Sequence, residues 1–208
     1  MFGSRLFPGG VHPHEGKNGK AVNGHNPIAQ LSAPPRVVIP LQQHIGAPAK
    51  ALVKKDDHVK VGQLIGEAGG YVSAPVHASV SGTVVDIQPC VLASGVQSPA
   101  VIIDNDYKEE WVELKPSTHP ETLSAAELQQ IVREAGIVGL GGATFPTDVK
   151  TVAGMGRVDT LIANACECEP YITADDALLC SYPEQIFRGL AALDAALHPD
   201  RRVIAVED

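Results

Sequence analysis

Between residues 36 and 105, short apolar segments rich in β-branched residues alternate with turn residues. The apolar segments lie at residues 37–39, 51–53, 58–61, 63–65, 82–87 and 101–103. Many short strands at this spacing are typical of a small all-β sandwich or barrel. We therefore predict a β domain at residues 36–105. Residues 1–35 are rich in Gly, Pro, His and Asn without periodicity, which predicts an extended N-terminal arm.

Beyond residue 105 the apolar positions change to a helical period. Ser124 and Glu127 have the spacing of a capping box, and Gly136 suits the end of a helix. Between them, an apolar stripe at i, i+3, i+4 and i+7 is formed by Leu128, Ile131, Val132 and Ala135. This pattern predicts a helix that begins after Ser124 and ends near Gly136.

The last fifty residues have the pattern of a strand–helix–strand unit. Residues 161–165 are predicted to form a buried strand and residues 203–206 another, with a helix that starts near Pro183 between them. Such a unit implies parallel pairing. Because two parallel strands are hard to cover on both faces, residues 106–208 look like the first part of an α/β domain that is cut short. The predicted fold is therefore α+β and multidomain: a β sandwich followed by the opening of an α/β domain.

Composition excludes several functional classes. Apolar residues make up 44% of the chain and the formal net charge is −8, which disfavours nucleic-acid binding. The four cysteines fit neither a disulfide framework nor iron–sulfur spacing, so a reducing, cytoplasmic setting is expected. No apolar segment approaches the roughly 20 residues of a membrane span. We expect any membrane association to go through a partner.

Two segments carry the candidate chemistry. Residues 139–150 read Gly-Leu-Gly-Gly-Ala-Thr-Phe-Pro-Thr-Asp-Val-Lys, and residues 164–170 read Asn-Ala-Cys-Glu-Cys-Glu-Pro. Glycines let backbone N–H groups approach phosphate oxygens, and Lys150 can supply a cation. The second segment follows a predicted strand, where α/β sheets present ligand-binding groups. Together they predict two walls of a site for a phosphate-bearing cofactor; a tight turn with a solvated lysine is the alternative for the first segment alone.

Both segments resemble the flavin-binding subunit of complex I, which oxidises NADH. Residues 168–176, Cys-Glu-Pro-Tyr-Ile-Thr-Ala-Asp-Asp, are closer to the RnfC component of the Rnf-type (Rsx) electron transport complex, as are residues 7–13, Phe-Pro-Gly-Gly-Val-His-Pro. The resemblance covers nearly the whole chain. It departs from the complex I loop at three positions, Leu140, Thr144 and Asp148, which replace an arginine and two glycines.

The resemblance implies FMN and NAD(H) as cofactors and assigns residues to them. The loop would wrap the FMN phosphate and ribityl chain, with Lys150 facing an anionic part of the flavin. Asn164 and Glu167 would hydrogen-bond the flavin, and Phe145 and Glu169 would lie where NAD(H) stacks and is anchored. No side chain is expected to be an acid, base or nucleophile. The full set of candidate residues is Gly139, Gly141, Gly142, Ala143, Phe145, Lys150, Asn164, Glu167 and Glu169.

The resemblance also implies a setting. It points to one component of a membrane-associated, ion-translocating NADH:ferredoxin oxidoreductase. The membrane and ferredoxin-like subunits of that complex would be its partners, at the cytoplasmic side of the inner membrane. Proteins of the family extend into a region with two [4Fe-4S] clusters, so those clusters are expected only beyond residue 208.

The β domain carries a second resemblance. Residues 53–66 and 74–84 look like the two blocks of a biotinyl/lipoyl barrel-sandwich hybrid, which presents a modifiable lysine on the hairpin between them. Here that hairpin, residues 67–73, has no lysine. Swinging-arm chemistry is therefore excluded, and a scaffold role is predicted.

Two rival functions remain open. The chain could be a non-catalytic docking module in which sandwich and arm hold partner subunits. It could also belong to cobalamin-reducing flavoproteins that share the glycine loop, although the preceding sandwich argues against this. No metal site is predicted: His12, His14 and Glu15 are interpreted as a polar turn or interface arm, and Cys166 and Cys168 as packed thiols. Asp175 and Asp176 are expected to cap a helix that starts near Ala174.

Overall fold

The computed structural model describes residues 26–114 and 119–207. Its first part contains two antiparallel sheets that face each other. One has the order β1-β7-β6-β3, formed by β1 (Arg36–Pro40), β3 (His58–Val59), β6 (Gly82–Val91) and β7 (Gln97–Asn105). The other has the order β2-β4-β5, formed by β2 (Lys50–Ala51), β4 (Leu64–Glu67) and β5 (Val76–His77).

Aliphatic side chains from both sheets form one core. Val59, Ile65, Val84, Val101 and Ile103 are completely buried in it. Along β7, Val101 and Ile103 alternate with pairing partners on β1 and β6, as a strand inside a sheet requires. Because aromatic residues are scarce, Val, Ile, Leu and Ala fill the space between the sheets.

Gly82 fixes the point where β3, β6 and β7 meet. It pairs with both Val59 and Asn105 and has a φ of +152°. A Cβ there would lie 1.9 Å from the carbonyl oxygen of Asp104. Only glycine permits this close approach of two backbones.

The second part of the chain contains four helices and a parallel pair of strands. The helices are α1 (Ala125–Glu134), α2 (Thr147–Gly154), α3 (Ala174–Ser181) and α4 (Pro183–Leu197), and a single 3-10 turn at Pro120–Thr122 precedes them. The strands β8 (Thr160–Ala165) and β9 (Arg201–Val206) pair in parallel, as the strand–helix–strand pattern predicts. The predicted fold class is confirmed.

The capping box is confirmed at atomic detail. The Ser124 hydroxyl accepts from the backbone N–H of Glu127, whose carboxylate accepts in return from the backbone N–H of Ser124. Helix α1 ends at Glu134, and Gly136 follows with a φ of +66°. This is the left-handed conformation that glycine commonly supplies after a helix.

Three sequence predictions need correction. The apolar segments at 51–53 and 58–61 form strands of only two residues each, because Lys54 and Asp57 close a turn between them. The strand at 161–165 is not buried: in β8, Ile162 is 57% exposed. The two-stranded sheet leaves that face open. Of the predicted arm, residues 26–35 have no regular secondary structure, and His12, His14 and Glu15 lie outside the described residues.

The hairpin between β4 and β5 contacts the end of α1. A Cβ on Gly136 would lie 2.5 Å from the carbonyl oxygen of Pro75, so the backbones touch there. The guanidinium of Arg133 reaches the carbonyl oxygen of Gly70 at 3.4 Å. The lysine-free turn, residues 67–73, is thus part of the contact between the sandwich and the helical part.

Candidate functional site

The glycine loop leaves α1 and leads into α2. Its base is closed by the backbone N–H of Gly139, which donates to the carbonyl oxygen of Phe145 at 2.9 Å, and by a bridge between Val138 and Pro146. The N–H of Thr147 donates to the carbonyl oxygen of Ile137 at 3.0 Å. These bonds hold residues 139–146 as a narrow loop whose exposed tip contains Gly141, Gly142 and Ala143.

Thr144 makes the turn inside the loop. Its φ is +45°, and its backbone N–H donates to the carbonyl oxygen of Gly141 at 3.0 Å. A threonine with positive φ is strained, because its β-branched side chain crowds the backbone. The complex I loop has glycine at this position, so the resemblance already marked the residue where the backbone is left-handed.

Lys150 lies across the entrance of the loop. Its Nζ is 3.2 Å from the position that a Cβ on Gly139 would occupy, which places the cation directly over that glycine. The side chain extends from α2 and is exposed. The absence of a side chain at Gly139 is therefore what gives the lysine its place beside the loop backbone.

Gly142 faces open space. No atom of the described residues lies within 4 Å of a Cβ placed on it. The backbone at the tip of the loop can thus be approached from outside without meeting a side chain of residues 26–114 or 119–207. This is the geometry that a backbone cradle for an anion requires.

The second segment begins at the carboxyl end of β8. Asn164 is exposed, and its Oδ1 accepts from the backbone N–H of Cys166 at 3.1 Å. Cys168 is exposed, and its Sγ lies 3.9 Å from a Cβ placed on Gly141. The structure therefore brings the two predicted walls together, and Cys168 is the residue that joins them.

Glu167 connects this segment to α3. Its Oε1 accepts from the backbone N–H groups of Asp175 at 2.9 Å and of Asp176 at 3.1 Å. The expectation that Asp175 and Asp176 cap this helix is thus wrong in part. Their carboxylates lie in the first turn, but Glu167 satisfies their backbone donors.

The remaining candidate residues differ in exposure. Phe145 is half-buried beneath the loop, whereas Glu169 is exposed beside Pro170. The backbone carbonyl of Glu169 accepts from Ile172 at 3.4 Å, in a turn where Tyr171 has a φ of +70°. Cys166 and Cys168 are both exposed, which corrects their interpretation as packed thiols.

Sequence reasoning missed a buried ion pair beneath the loop. Arg133 Nη1 donates to Asp148 Oδ2 at 2.8 Å, and Asp148 is 3% exposed. Asp148 stands where the complex I loop has glycine, and that departure was the available signal. Its partner could not be read from spacing, because Arg133 lies fifteen residues earlier on another helix.

A groove of about 390 Å³ separates the loop from the sandwich. Leu140 and Thr144 line it on one side, and His44 and His77 on the other. Partial burial lowers the pKa of His77, which favours its neutral form at neutral pH. Leu140 is 92% exposed, so an apolar side chain marks the loop's rim where complex I has arginine.

Neither a membrane helix nor a metal cluster is found in the described parts of the chain. Within residues 26–114 and 119–207, no helix is long and apolar enough to cross a membrane. In the same ranges, no three His, Cys, Asp or Glu side chains are grouped to hold a metal ion.

Two family models divide the chain between them. Residues 5–108 match the RnfC barrel sandwich hybrid domain, and residues 132–208 match the Nuo51 FMN-binding domain. The chain belongs to the RnfC family. The predicted resemblance is confirmed, and the second match contains both segments of the candidate site.

Curated relatives, each the RnfC-type subunit of its complex, agree along nearly the whole chain. That of the ion-translocating oxidoreductase complex of Vibrio cholerae is 40% identical over 97% of this chain and 26% of its own length. Its counterpart from Klebsiella pneumoniae is 43% identical over 97% and 27%. That of the proton-translocating ferredoxin:NAD(+) oxidoreductase complex of Clostridium ljungdahlii is 41% identical over 98% and 44%. The chain thus spans between a quarter and a half of the length of these relatives.

Proposed function

We propose that this chain carries the FMN cradle and part of the NAD(H) site of an Rnf-type, ion-translocating NADH:ferredoxin oxidoreductase. The observation that carries the proposal is the open backbone at Gly142, beside the contact between Gly141 and Cys168. One wall of the site is a glycine loop with an adjacent cation, and the other is the carboxyl end of a parallel strand. Ligands in open α/β sheets bind at that edge.

The residues at the loop fit a phosphate group. The exposed backbone at Gly141 and Gly142 has no Cβ to keep an anion away, and Lys150 brings a positive charge to the same loop. A cation and backbone donors together bind phosphate more strongly than either alone. We therefore assign Gly139, Gly141, Gly142 and Ala143 to the cradle and Lys150 to the charge.

Asn164 and Glu167 suit the flavin ring from the other wall. A carboxamide offers both donors and an acceptor, so Asn164 can match the alternating pattern of the ring edge. Glu167 uses Oε1 to hold α3, and its Oε2 is directed elsewhere. In this proposal the helix cap orients Oε2 toward a ring N–H, so that one carboxylate both builds the wall and binds the ligand.

Phe145 and Glu169 are assigned to NAD(H). The half-buried ring of Phe145 offers an apolar face, and Glu169 offers a carboxylate that only accepts hydrogen bonds, as ribose hydroxyls require. When bound, FMN supplies hydride acceptance from NADH and release of single electrons. The protein's residues orient the two ligands and need no acid, base or nucleophile among them.

The relatives' names support the setting of this chemistry. We infer that the complete protein passes electrons to iron–sulfur clusters beyond residue 208 and assembles with membrane and ferredoxin-like subunits. It would lie peripherally at the cytoplasmic side of the inner membrane. The sandwich, whose core is closed, would serve as a scaffold for these contacts.

Anaerobic addition of NADH to the purified, FMN-loaded complete protein tests the proposal. Bleaching of the flavin absorbance is expected with NADH. Flavin that stays oxidised, or a protein that retains no FMN, would overturn the proposal and favour a docking module. A protein that reduces cobalamin but not ferredoxin would instead favour the cobalamin-reducing alternative.

A further inference from the structure

Arg133 connects three parts of the molecule. From the last turn of α1 it donates through Nη1 to Asp148 in the first turn of α2, and its Nη2 reaches the carbonyl oxygen of Gly70 in the sandwich. The guanidinium is 31% exposed, whereas the carboxylate is only 4% exposed. A carboxylate buried to this degree needs a partner, because its charge is costly to remove from water.

Both charges also suit the helix ends that carry them. A cation at the carboxyl end of α1 and an anion at the amino end of α2 each oppose the local helix dipole. The planar guanidinium can hold the carboxylate and the Gly70 carbonyl at once, which a lysine could not do with the same geometry. The pair therefore fixes the start of α2 relative to both α1 and the sandwich.

The start of α2 is also the end of the glycine loop. Pro146 precedes the helix, and Lys150 lies two residues beyond Asp148. Any movement of this turn would displace the lysine amine from Gly139 and change the bond between Gly139 and Phe145. The position of the anion cradle thus depends on a side chain that lines none of it.

We propose that Arg133 is a positioning residue that holds the glycine loop in its ligand-binding geometry through Asp148 and Gly70. The inference rests on the proposed function for its effect on FMN, but not for its effect on the loop. When a loop occupies its binding geometry only part of the time, the apparent dissociation constant rises in proportion. Removal of the pair should therefore weaken FMN binding without altering any contact to the ligand.

Hydrogen exchange of the loop amides, measured in the complete protein without FMN, tests the positioning directly. The amides of Gly139, Thr144 and Thr147 donate within the loop and at its base. In Arg133→Met we expect them to exchange at least about tenfold faster, while amides of β6 and β7 remain unchanged. Asp148→Asn, which keeps the shape of the side chain, provides a second variant should the first fail to fold.

Asp194→Asn is the matched control. Asp194 pairs with Arg202 in an ion pair between α4 and β9, on an exposed surface. Loop exchange and FMN binding should both equal the wild type in this variant. A loss as large as in Arg133→Met would overturn the inference, because any ion pair would then have the same effect.

FMN titration gives the second readout. Arg133→Met should raise the dissociation constant about tenfold. Loop exchange within about twofold of the wild type in folded Arg133→Met and Asp148→Asn would overturn the positioning role. Faster loop exchange with unchanged FMN affinity would also overturn it. If the wild type itself binds no FMN, the proposed function fails, and the exchange result alone decides whether Arg133 holds the loop.

Discussion

The carboxylate of Glu167 accepts a hydrogen bond from the backbone N–H of Asp175 at 2.9 Å. This contact joins the segment after β8 to the first turn of α3, and it gives an exposed acidic residue a structural partner. The shape of one wall of the candidate site therefore depends on a helix cap.

Replacement of Glu167 tests this cap. Glu167→Ala leaves the first donors of α3 without their acceptor and should lower the free energy of unfolding by about 1 kcal/mol. Glu167→Gln retains an acceptor oxygen and should lose less. Urea denaturation measures both, and Glu169→Ala, two residues along on an exposed side chain, should stay within about 0.5 kcal/mol of the wild type. Equal losses in the Ala and Gln variants would contradict the cap.

Asp106 should make the sandwich sensitive to acid. The Ser81 hydroxyl donates to its Oδ1 at 2.7 Å and the backbone N–H of Lys108 donates to the same atom at 3.0 Å. These bonds, that of Ser81 first, lower the pKa of Asp106 from 3.8 to about 2. A lowered pKa in the folded state stabilises the protein above the unfolded pKa, and this contribution is lost as the pH falls from about 4 to 2.

Asp106→Asn removes that titration. We expect the variant to lose less stability than the wild type between pH 4 and pH 2, although it is less stable at neutral pH. Fluorescence of Trp111, which lies near this turn, can follow unfolding in urea across the range. Parallel curves for the two proteins would show that Asp106 does not carry the acid dependence.

Local patterns made much of the fold predictable. The capping box of Ser124 and Glu127 lies within one helical turn, and the parallel pairing of β8 and β9 follows from the strand–helix–strand order. Even the approach of Gly141 to Cys168 agrees with the rule that ligand sites lie beyond the carboxyl ends of strands. In each case residues close in sequence, or a general rule of topology, determine the contact.

The remaining features depend on contacts that no spacing encodes. Arg133 and Asp148 meet across a loop, and Glu167 caps a helix eight residues later through a turn at Tyr171. The exposure of Ile162 also escaped prediction, because an apolar strand is expected to be covered and β8 has only β9 beside it. These are tertiary effects that override the local signal.

The sandwich should carry no covalent cofactor. Its hairpin at 67–73 has no lysine, and the Gly70 carbonyl accepts from Arg133, so the turn contacts α1. We expect the intact mass of the purified chain to equal the mass of the sequence. An additional mass corresponding to biotin or lipoate would refute the scaffold role of this domain.

The 208-residue chain alone should bind FMN weakly or not at all. Asn164 and Glu167 stand at the edge of a sheet in which Ile162, Val203 and Val206 are exposed, so the wall that they form is poorly supported. Affinity falls when a site must be ordered on binding. Isothermal titration with FMN measures this, and a submicromolar dissociation constant would show that residues 139–169 suffice.

Retention of FMN by Gly142→Val in the complete protein tests the central claim most directly. Because no atom of the described residues lies within 4 Å of the new Cβ, the fold should survive while the valine fills the space of the ligand. Gly189→Val, at an equally open position on α4, is the matched control and should keep its flavin. We predict that Gly142→Val loses its flavin absorbance on desalting while its circular dichroism matches the wild type; a folded Gly142→Val with wild-type flavin content would contradict the assignment of this loop to FMN.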